Sequence, residues 1–386
     1  MSVRSEESQT QKTIVVIGLA GAGLKTFNLL LDKLTATTQN IRIIAIEKSN
    51  YAYWAPGSLR AAVLNGFEDK ILRGFEHIVP TKMQDNERVL TFIGTEVLEL
   101  DLENRFLVTD KSLDGLGTKL AFDYLVVASG SSYAFPCRPP PEAEGKEDVK
   151  NQLRSLQSSI QESKSIVIVG GGVVGIELAG EISYQYPRCS LKQQLEDRKV
   201  NIIFGVRADL DEHHITKTGK LDKLTVIGLA PKDGGDREEV EADFVFLATG
   251  NKPNSKFIPP EYLNPANKLV KVNKHLQVTD SNEKPIEGVY GVGDVIDFNE
   301  SKLYAALDGQ ASTVTKNLWI DITNSSDKKV VHQPIKDTIS IPLGPCGGIT
   351  EVYGFTCGLG SWSTSLVKGW SLLVWMFNSM YPEKSR

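Results

Sequence analysis

The sequence has few cysteines and no long apolar run. Its 386 residues include Cys137, Cys189, Cys346 and Cys357, and no two of these stand in a Cys-x-x-Cys pair. This excludes a disulfide-rich secreted framework and a cysteine zinc site, so a reducing compartment is expected. No uninterrupted apolar stretch approaches the roughly 20 residues that span a bilayer. We therefore expect a soluble protein, or one at most peripheral to a membrane.

The sequence also has no excess of positive charge and few features of a targeting signal. The net charge is -5, which gives no basic surface for nucleic acid. The N-terminus has two glutamates and no apolar core, which argues against a signal or transit peptide. Ser2 stands where N-myristoylation requires glycine. The five histidines show no spacing typical of metal ligands, and no metal is expected.

Two glycine-rich turns are present, and each follows a short apolar run. The first contains Gly18, Ala20, Gly21 and Gly23, and the second contains Gly170, Gly172 and Gly175. An apolar strand that enters clustered glycines and then a helix aims backbone N–H groups at a pyrophosphate. Each turn is followed later in the chain by a segment that is predicted to end a strand, which is Ala128-Ser129-Gly130 for the first turn and Ala248-Thr249-Gly250 for the second. The pairing predicts two dinucleotides bound side by side.

The apolar pattern predicts a similar unit around each turn. The first unit has a strand at 14–17, a helix at 24–34 and a strand at 41–46 that ends at Glu47, an acid placed for ribose hydroxyls. In the second half we predict helices at 147–163 and 173–181, a strand at 200–204 and a hairpin of 223–229 with 239–247. A strand at 288–294 and a helix at 303–320 follow.

These segments resemble the two-dinucleotide flavoprotein reductases, and among them the apoptosis-inducing-factor-like and ferroptosis-suppressor flavoproteins. The resemblance covers nearly the whole chain and rests on five ordered segments, at 18–23, 123–136, 170–181, 241–254 and 290–294, with 51–61 in addition. It implies an α/β fold with two Rossmann-like dinucleotide-binding domains and a small C-terminal α+β region.

The implied organisation is discontinuous. Residues 1–135 would form the first part of an FAD-binding domain, 136–257 an NAD(P)H-binding domain, 258–325 the second part of the FAD domain and 326–386 a C-terminal interface or tail. Proline clusters at 136–141 and 253–260 mark the two boundaries.

The resemblance also implies which residues bind FAD. Gly18 would form the turn, Gly23 would allow close helix packing, and Glu47 would accept hydrogen bonds from the adenosine ribose. Ala20 replaces the usual middle glycine, with Gly21 beside it, and its methyl group should weaken binding without abolishing it. Ala128 and Gly130 lie at the paired strand end, and Asp294 would bind the ribityl hydroxyls. Arg60 is predicted near the flavin phosphates.

On the nicotinamide side, the resemblance assigns the second turn to NAD(P)H. Gly170, Gly172, Gly175 and Gly250 would form this site, and Glu177 would lie near the nicotinamide. Glu177 and Lys302 are candidate catalytic groups, with helix solubility and a solvated lysine as the respective alternatives. The redox chemistry itself would be supplied by the bound flavin, and the protein would supply binding and orientation.

The second unit is shorter than the first. About 110 residues separate the first turn from its strand end, against about 80 in the second, although a βαβ unit alone uses 30 or more. We infer a deletion of roughly 30 residues after residue 203, partly offset by an insertion around 187–198. Arg207 could be a ligand for a 2′-phosphate, but the deletion argues against it. The sequence leaves the choice between NADH and NADPH open.

The predicted reaction transfers hydride from NAD(P)H to the flavin and electrons onward to a quinone-like acceptor. Residues 49–63 lack the Cys-x4-Cys pair of disulfide reductases, so electrons would leave the flavin directly. The alternatives are an apoptosis-inducing-factor-type flavin-binding signalling protein with vestigial catalysis, or a reductase that serves a protein partner. The aromatic tail at 362–377 fits either shallow membrane contact or a packed terminal element. An intracellular site, in the cytoplasm or mitochondrion, is expected, and the oligomeric state stays open.

Overall fold

The computed structural model describes residues 11–84, 86–186, 200–232, 234–335, 338–352, 355–356 and 361–384. The α-helices are α1 (Gly21–Thr35), α2 (Ser58–Ala61), α3 (Lys146–Glu162), α4 (Val173–Gln185), α5 (Ala306–Thr323), α6 (Ser361–Thr364) and α7 (Val374–Met380). The strands are β1 (Lys12–Ile17), β2 (Ile41–Glu47), β3 (Ala52–Tyr53), β4 (Leu72–Arg73), β5 (Val89–Ile93), β6 (Val97–Asp101), β7 (Phe106–Leu113), β8 (Gly117–Ala121), β9 (Tyr124–Val127), β10 (Ser131–Ser132), β11 (Ile166–Val169), β12 (Val206–Ala208), β13 (Gly219–Pro231), β14 (Glu238–Leu247), β15 (Lys252–Pro253), β16 (Val270–Lys271), β17 (Gln277–Thr279), β18 (Pro285–Gly291), β19 (Ile296–Asp297), β20 (Ile339–Pro342), β21 (Gly348–Val352) and β22 (Phe355–Thr356).

The first sheet has the strand order β17-β18-β9-β1-β2-β5. Every neighbouring pair from β18 to β5 is parallel, and β17 runs antiparallel to β18. The apolar run in β1 is buried, as expected for a central strand covered on both faces. The carboxyl ends of β1, β9 and β18 bring Gly18, Ala128 and the turn at Gly293-Asp294 to the same edge of the sheet. Such an edge is where open α/β sheets bind ligands.

The second sheet has the order β11-β14-β13-β12, and only its β11–β14 pair is parallel. Within the described residues β11 is therefore an outer strand, and its side chains are only partly buried. The predicted strand at 200–204 is wrong, because this segment has no regular structure. Its apolar side chains are not covered, with Ile202 44% and Phe204 82% exposed. The predicted insertion at 187–198 lies outside the described residues.

Most other predicted elements are confirmed. The helices predicted at 24–34, 147–163 and 173–181 correspond to α1, α3 and α4, and the predicted hairpin corresponds to β13 and β14. The helix predicted from Leu303 begins only at Ala306, because Leu303 and Ala306 make tight-turn hydrogen bonds, from Leu303 N to Ser301 O and from Ala306 N to Leu303 O. Lys302 consequently lies in the loop before α5. The two Rossmann-like sheets with their helices confirm the α/β fold class.

The C-terminal region packs against the first domain. It consists of the antiparallel sheet β20-β21-β22, α6, a π-helical turn at Ser365–Gly369 and α7. The Trp54 indole donates to Leu372 O at 2.7 Å and stacks on Phe377 at 5.3 Å between ring centroids. The Tyr381 hydroxyl donates to Leu19 O at 2.8 Å, directly on the first glycine turn. Among the described helices, none combines the length and apolarity needed to cross a bilayer.

Candidate dinucleotide-binding site

The two glycine turns have the same local geometry. Gly18 has φ +95°, and a Cβ there would lie 2.4 Å from Ala128 O. Gly170 has φ +125°, and a Cβ there would lie 2.2 Å from Ala248 O. Only glycine combines this backbone conformation with so close an approach. Each turn is thus fitted to the end of the neighbouring parallel strand.

The third glycine of each turn lets the helix approach the strand. A Cβ on Gly23 would lie 1.9 Å from Gly18 O, and one on Gly175 would lie 2.0 Å from Gly170 O. No side chain fits in either gap, so α1 and α4 each begin in direct contact with the glycine turn that precedes them. The packing role predicted for Gly23 matches this geometry. Gly21 has a different reason to be glycine, since its Cβ would lie 2.8 Å from Leu307 Cδ1 of α5.

Both helix N-termini are suited to an anion. Neither Ala20, before α1, nor Gly172, before α4, makes a side-chain cap, and neither helix has an acidic residue in its first turn. A Cβ at Gly130, Gly172 or Gly250 would meet nothing within 4 Å in the described part of the chain. Open space therefore lies at the start of α4, whose first-turn amides have no acceptor within the helix, and at the two strand ends. Such amides bind phosphate groups, so these residues fit a dinucleotide pyrophosphate.

Glu47 ends β2 beside the first turn. Its carboxylate accepts hydrogen bonds from Leu19 N at 2.6 Å and Ser49 N at 2.8 Å. Burial raises the pKa of Glu47, and these backbone donors act in the opposite direction. Because a carboxylate can accept about four hydrogen bonds, Glu47 retains capacity for ribose hydroxyls. Its role as a ribose ligand stays a prediction.

Asp294 follows β18, beyond Gly293. Its Oδ2 accepts a hydrogen bond from Ser131 Oγ at 2.8 Å, and Arg138 Nη2 lies 3.4 Å away. The Arg138 guanidinium also lies 5.6 Å from the centroid of the Tyr133 ring. Sequence reasoning did not select Ser131 or Arg138. In the sequence, the only indication for these two residues was that they lie in the segment that connects the two dinucleotide-binding units.

Arg60, which is predicted near the flavin phosphates, makes three hydrogen bonds within the protein. Its guanidinium donates to both carboxylate oxygens of Glu181, at 2.7 and 3.0 Å, and to Trp370 O at 2.9 Å. The side chains of Arg60 and Glu181 are 3% and 5% exposed. These contacts join α2, α4 and the C-terminal region, and the place of Arg60 near the flavin phosphates stays a prediction.

Glu177 also pairs with the C-terminal region. Lys368 Nζ lies 2.5 Å from Glu177 Oε1, and the Glu177 side chain is 9% exposed. Burial raises the pKa of Glu177, and the ammonium of Lys368 opposes this rise. The pair places a carboxylate and an ammonium one helix turn from the start of α4. Lys368 was not selected from the sequence, because it is 191 residues away in the chain.

Lys302 lies beside the Asp294 turn. Its ammonium donates to Ile296 O at 2.6 Å, and burial lowers its pKa while Asp294 opposes this change. The candidate catalytic role of Lys302 stays a prediction.

The two matched turns and their sheets define a two-dinucleotide oxidoreductase fold. The chain belongs to the pyridine nucleotide-disulphide oxidoreductase family, which matches residues 12–314. Apoptosis-inducing factor homolog A of Dictyostelium discoideum is 26% identical, over 96% of this chain and 92% of that protein. Human ferroptosis suppressor protein 1 is 26% identical, over 83% of this chain and 84% of that protein. The sulfide:quinone oxidoreductase of Aquifex aeolicus superposes with TM-score 0.67 at 17% identity, over 97% of this chain and 93% of that structure.

The family assigns the cofactors. Its members bind FAD and NAD(P)H, so the chain is an FAD-dependent pyridine-nucleotide oxidoreductase. Residues 49–63 nevertheless lack the cysteine pair of disulfide reductases. Cys137 is buried, and burial raises the pKa of its thiol to about 11, which makes it a poor nucleophile.

Proposed function

We propose that this enzyme transfers electrons from NAD(P)H through FAD to a quinone-like acceptor. The observation that carries the proposal is the pair of glycine turns with one geometry, each closed by its own parallel strand. The antiparallel pair β10–β15 joins the two units where the chain crosses between them. Two dinucleotides held in this way can exchange hydride directly when bound close together.

The first turn is proposed to hold FAD. Bound FAD supplies the electron-transfer chemistry, and the chain supplies binding and orientation. The amides after Gly18 would face the pyrophosphate, Glu47 would accept from the adenosine ribose, and Asp294 would accept from the ribityl hydroxyls. Asp294 Oδ2 accepts a hydrogen bond from the Ser131 hydroxyl, and a carboxylate has acceptor capacity for further hydroxyl groups.

The second turn is proposed to hold NAD(P)H. The Glu177–Lys368 pair would lie at the nicotinamide end, as the family resemblance implies for Glu177. In the described residues the second sheet has no parallel strand beyond β11 to carry an acid equivalent to Glu47. Arg207 lies in β12 at the opposite edge of this sheet, which disfavours it as a 2′-phosphate ligand.

The quinone-like acceptor has two lines of support. Since 49–63 has no cysteine pair, electrons on the flavin need an acceptor that reaches it directly. One solved structure of similar fold is titled a sulfide:quinone oxidoreductase. A hydrophobic acceptor would also explain why this chain keeps large apolar side chains at its surface.

We give the name aromatic face to the large exposed side chains of the C-terminal region. It consists of Phe355, Trp362, Leu366, Trp370 and Trp375, which are 77%, 64%, 61%, 80% and 62% exposed. Trp is favoured at membrane interfaces because an apolar ring carries a polar N–H. We propose that the aromatic face makes peripheral membrane contact, where a quinone would be available.

A second candidate is a flavin-binding signalling protein with weak catalysis. The observation that favours it is the half-buried outer strand β11, which leaves the nicotinamide unit less covered than the FAD unit. A third candidate, a reductase of a protein partner, differs from the first only in the acceptor.

Spectra of the purified protein separate these candidates. We expect a yellow protein that NADH or NADPH bleaches without oxygen and that a short-chain quinone reoxidises. Bound flavin that neither nucleotide reduces would contradict the enzyme and support the signalling protein. Reoxidation by a protein acceptor alone would support the third candidate.

A further inference from the structure

A buried carboxylate–imidazole pair lies behind the Asp294 turn. Glu300 Oε2 and His332 Nε2 are 3.0 Å apart, and each side chain is 1% exposed. Glu300 also accepts hydrogen bonds from Ile335 N at 2.7 Å and from Gln310 Nε2 at 2.7 Å. Three hydrogen-bond partners around one carboxyl group satisfy it without water, as a buried polar group requires.

Gln310 connects this pair to the flavin-binding turn. Its Oε1 accepts a hydrogen bond from Gly293 N at 2.7 Å, while its Nε2 donates to Glu300. Gln310 is 3% exposed. Because a carboxylate only accepts hydrogen bonds, the Gln310 amide has a single orientation, with its oxygen toward Gly293. Glu300 thereby determines which atom is presented to the turn.

The turn also packs closely against the start of α1. Gly293 has φ +80°, and a Cβ there would lie 3.0 Å from the Cβ of Ala22, in the first turn of α1. The Gln310 contact thus fixes the residue that immediately precedes Asp294. A displacement of Gly293 would move the Asp294 carboxylate relative to the start of α1.

His332 is itself held on its other sides. Its backbone N donates to Lys274 O at 2.9 Å, its ring packs on Phe298 at 5.3 Å between centroids, and Nδ1 lies 3.4 Å from Thr313 Oγ1. Glu300 also interacts electrostatically with the ammonium of Lys302. The Nε2 atom of His332 faces an acceptor and therefore carries a proton.

We propose that Glu300 and His332 are positioning residues for FAD, acting through Gln310 on the Gly293-Asp294 turn. The inference rests on the proposed role of Asp294 as the ribityl ligand. Neither residue is part of the glycine turns, and Gln310 is the link between them and Gly293. Their effect should therefore appear in FAD affinity and in the asymmetry of the bound flavin.

A matched pair at the other end of α5 provides the control. Asp321 accepts from Lys329 Nζ at 2.8 Å and from the Tyr290 hydroxyl at 2.7 Å. This pair ties the same segment after α5 to the helix, but it lies eleven residues from Gln310, about 16 Å along the axis. Asp321→Asn should weaken this link while leaving the hydrogen bonds among Gly293, Gln310 and Glu300 in place.

The experiment measures FAD dissociation constants of apoprotein by flavin fluorescence, together with thermal midpoints and visible circular dichroism of the bound flavin. Glu300→Gln, Gln310→Met and His332→Leu should each weaken FAD binding about tenfold, the value of one charge-assisted hydrogen bond, and alter the dichroism. His332→Gln, which keeps a donor, should restore most of the affinity. Asp321→Asn should lower the midpoint and leave the dissociation constant unchanged.

Two results would overturn the inference. One is FAD affinity that follows the thermal midpoint in all variants, Asp321→Asn included, because that pattern is general destabilisation. The other is unchanged affinity and dichroism in Glu300→Gln and Gln310→Met. Both of these results require that the wild-type protein binds FAD, and they contradict the inference alone. A wild-type protein that binds no FAD would contradict the proposed function, so the two failures are distinguishable.

Discussion

The carboxylate of Glu177 and the ammonium of Lys368 lie 2.5 Å apart although 191 residues separate them in the chain. The pair joins the helix of the second dinucleotide unit to the π-helical turn of the C-terminal region. A region that lies outside the residues matched to the family thus contributes a charged group to the candidate site.

Lys368→Met should destabilise the protein in a pH-dependent way. Without the ammonium, the buried carboxylate of Glu177 loses the interaction that opposes the rise of its pKa. A carboxyl with a raised folded-state pKa loses stability as pH rises above its unfolded value. We expect the deficit in the free energy of unfolding to grow as the pH rises above about 4, the ordinary pKa of a glutamate, and to reach about 3 kcal/mol. The double variant Glu177→Gln/Lys368→Met should lose the pH dependence, and a deficit that is constant with pH would contradict this account.

Arg60→Met should destabilise the protein strongly. The substitution leaves Glu181, which is 5% exposed, as a buried charge without a partner, at a cost of about 3 kcal/mol or more. Denaturant unfolding of the single variant and of Arg60→Met/Glu181→Met measures this. The double variant should recover most of the loss, because no buried charge then remains. Equal instability of both variants would show that packing and not charge dominates.

Ala20→Gly should strengthen FAD binding. The methyl group stands before α1, at the place where glycine is usual in the fingerprint, and glycine is the better residue at a helix N-cap. We expect the FAD dissociation constant to fall about two- to fivefold, which is less than about 1 kcal/mol. Gly18→Ala is the opposite control, since its Cβ would lie 2.4 Å from Ala128 O. Weaker binding in Ala20→Gly would refute the assigned place of the pyrophosphate.

Replacing two tryptophans of the aromatic face should reduce membrane binding. The double variant Trp370→Ser/Trp375→Ser retains the main-chain carbonyl of residue 370, which accepts a hydrogen bond from Arg60. Vesicle co-flotation should fall, while anaerobic bleaching of the flavin by NAD(P)H should not change. Leu224→Ser, at a position 53% exposed on β13, is the control and should float like wild type. Undiminished flotation of the double variant would rule out this face.

Cys137 should react slowly with alkylating reagents. Burial raises the pKa of its thiol from 9.0 to about 11, which lowers the thiolate fraction at pH 8 about a hundredfold. Peptide-resolved labelling should therefore modify the exposed Cys346 first, and Cys137 labelling should rise about tenfold per pH unit in native protein. Similar rates at the two cysteines would contradict the buried environment.

The local parts of the fold were predictable, and the long-range partners were not. Gly18, Gly23 and their counterparts are recognisable because turn geometry excludes a side chain at each position. The contact between Arg60 and Glu181 was not predictable, because the two residues are 121 positions apart and no local pattern connects them. The strand predicted at 200–204 failed because an apolar run becomes a strand only where a neighbour pairs with it, and none of the described strands does so here.

The strand order of the first sheet also has a consequence for synthesis. Strand β18 is built from Pro285–Gly291 and lies between β9 and β17, so this sheet is complete only after the ribosome has passed residue 291. The second sheet uses only strands between Ile166 and Leu247 and can form earlier on the nascent chain. The second sheet, with its half-covered outer strand β11, can therefore fold while the first sheet still lacks β17 and β18. During that time the edge of β9 has no neighbour on one side, where another strand could pair incorrectly.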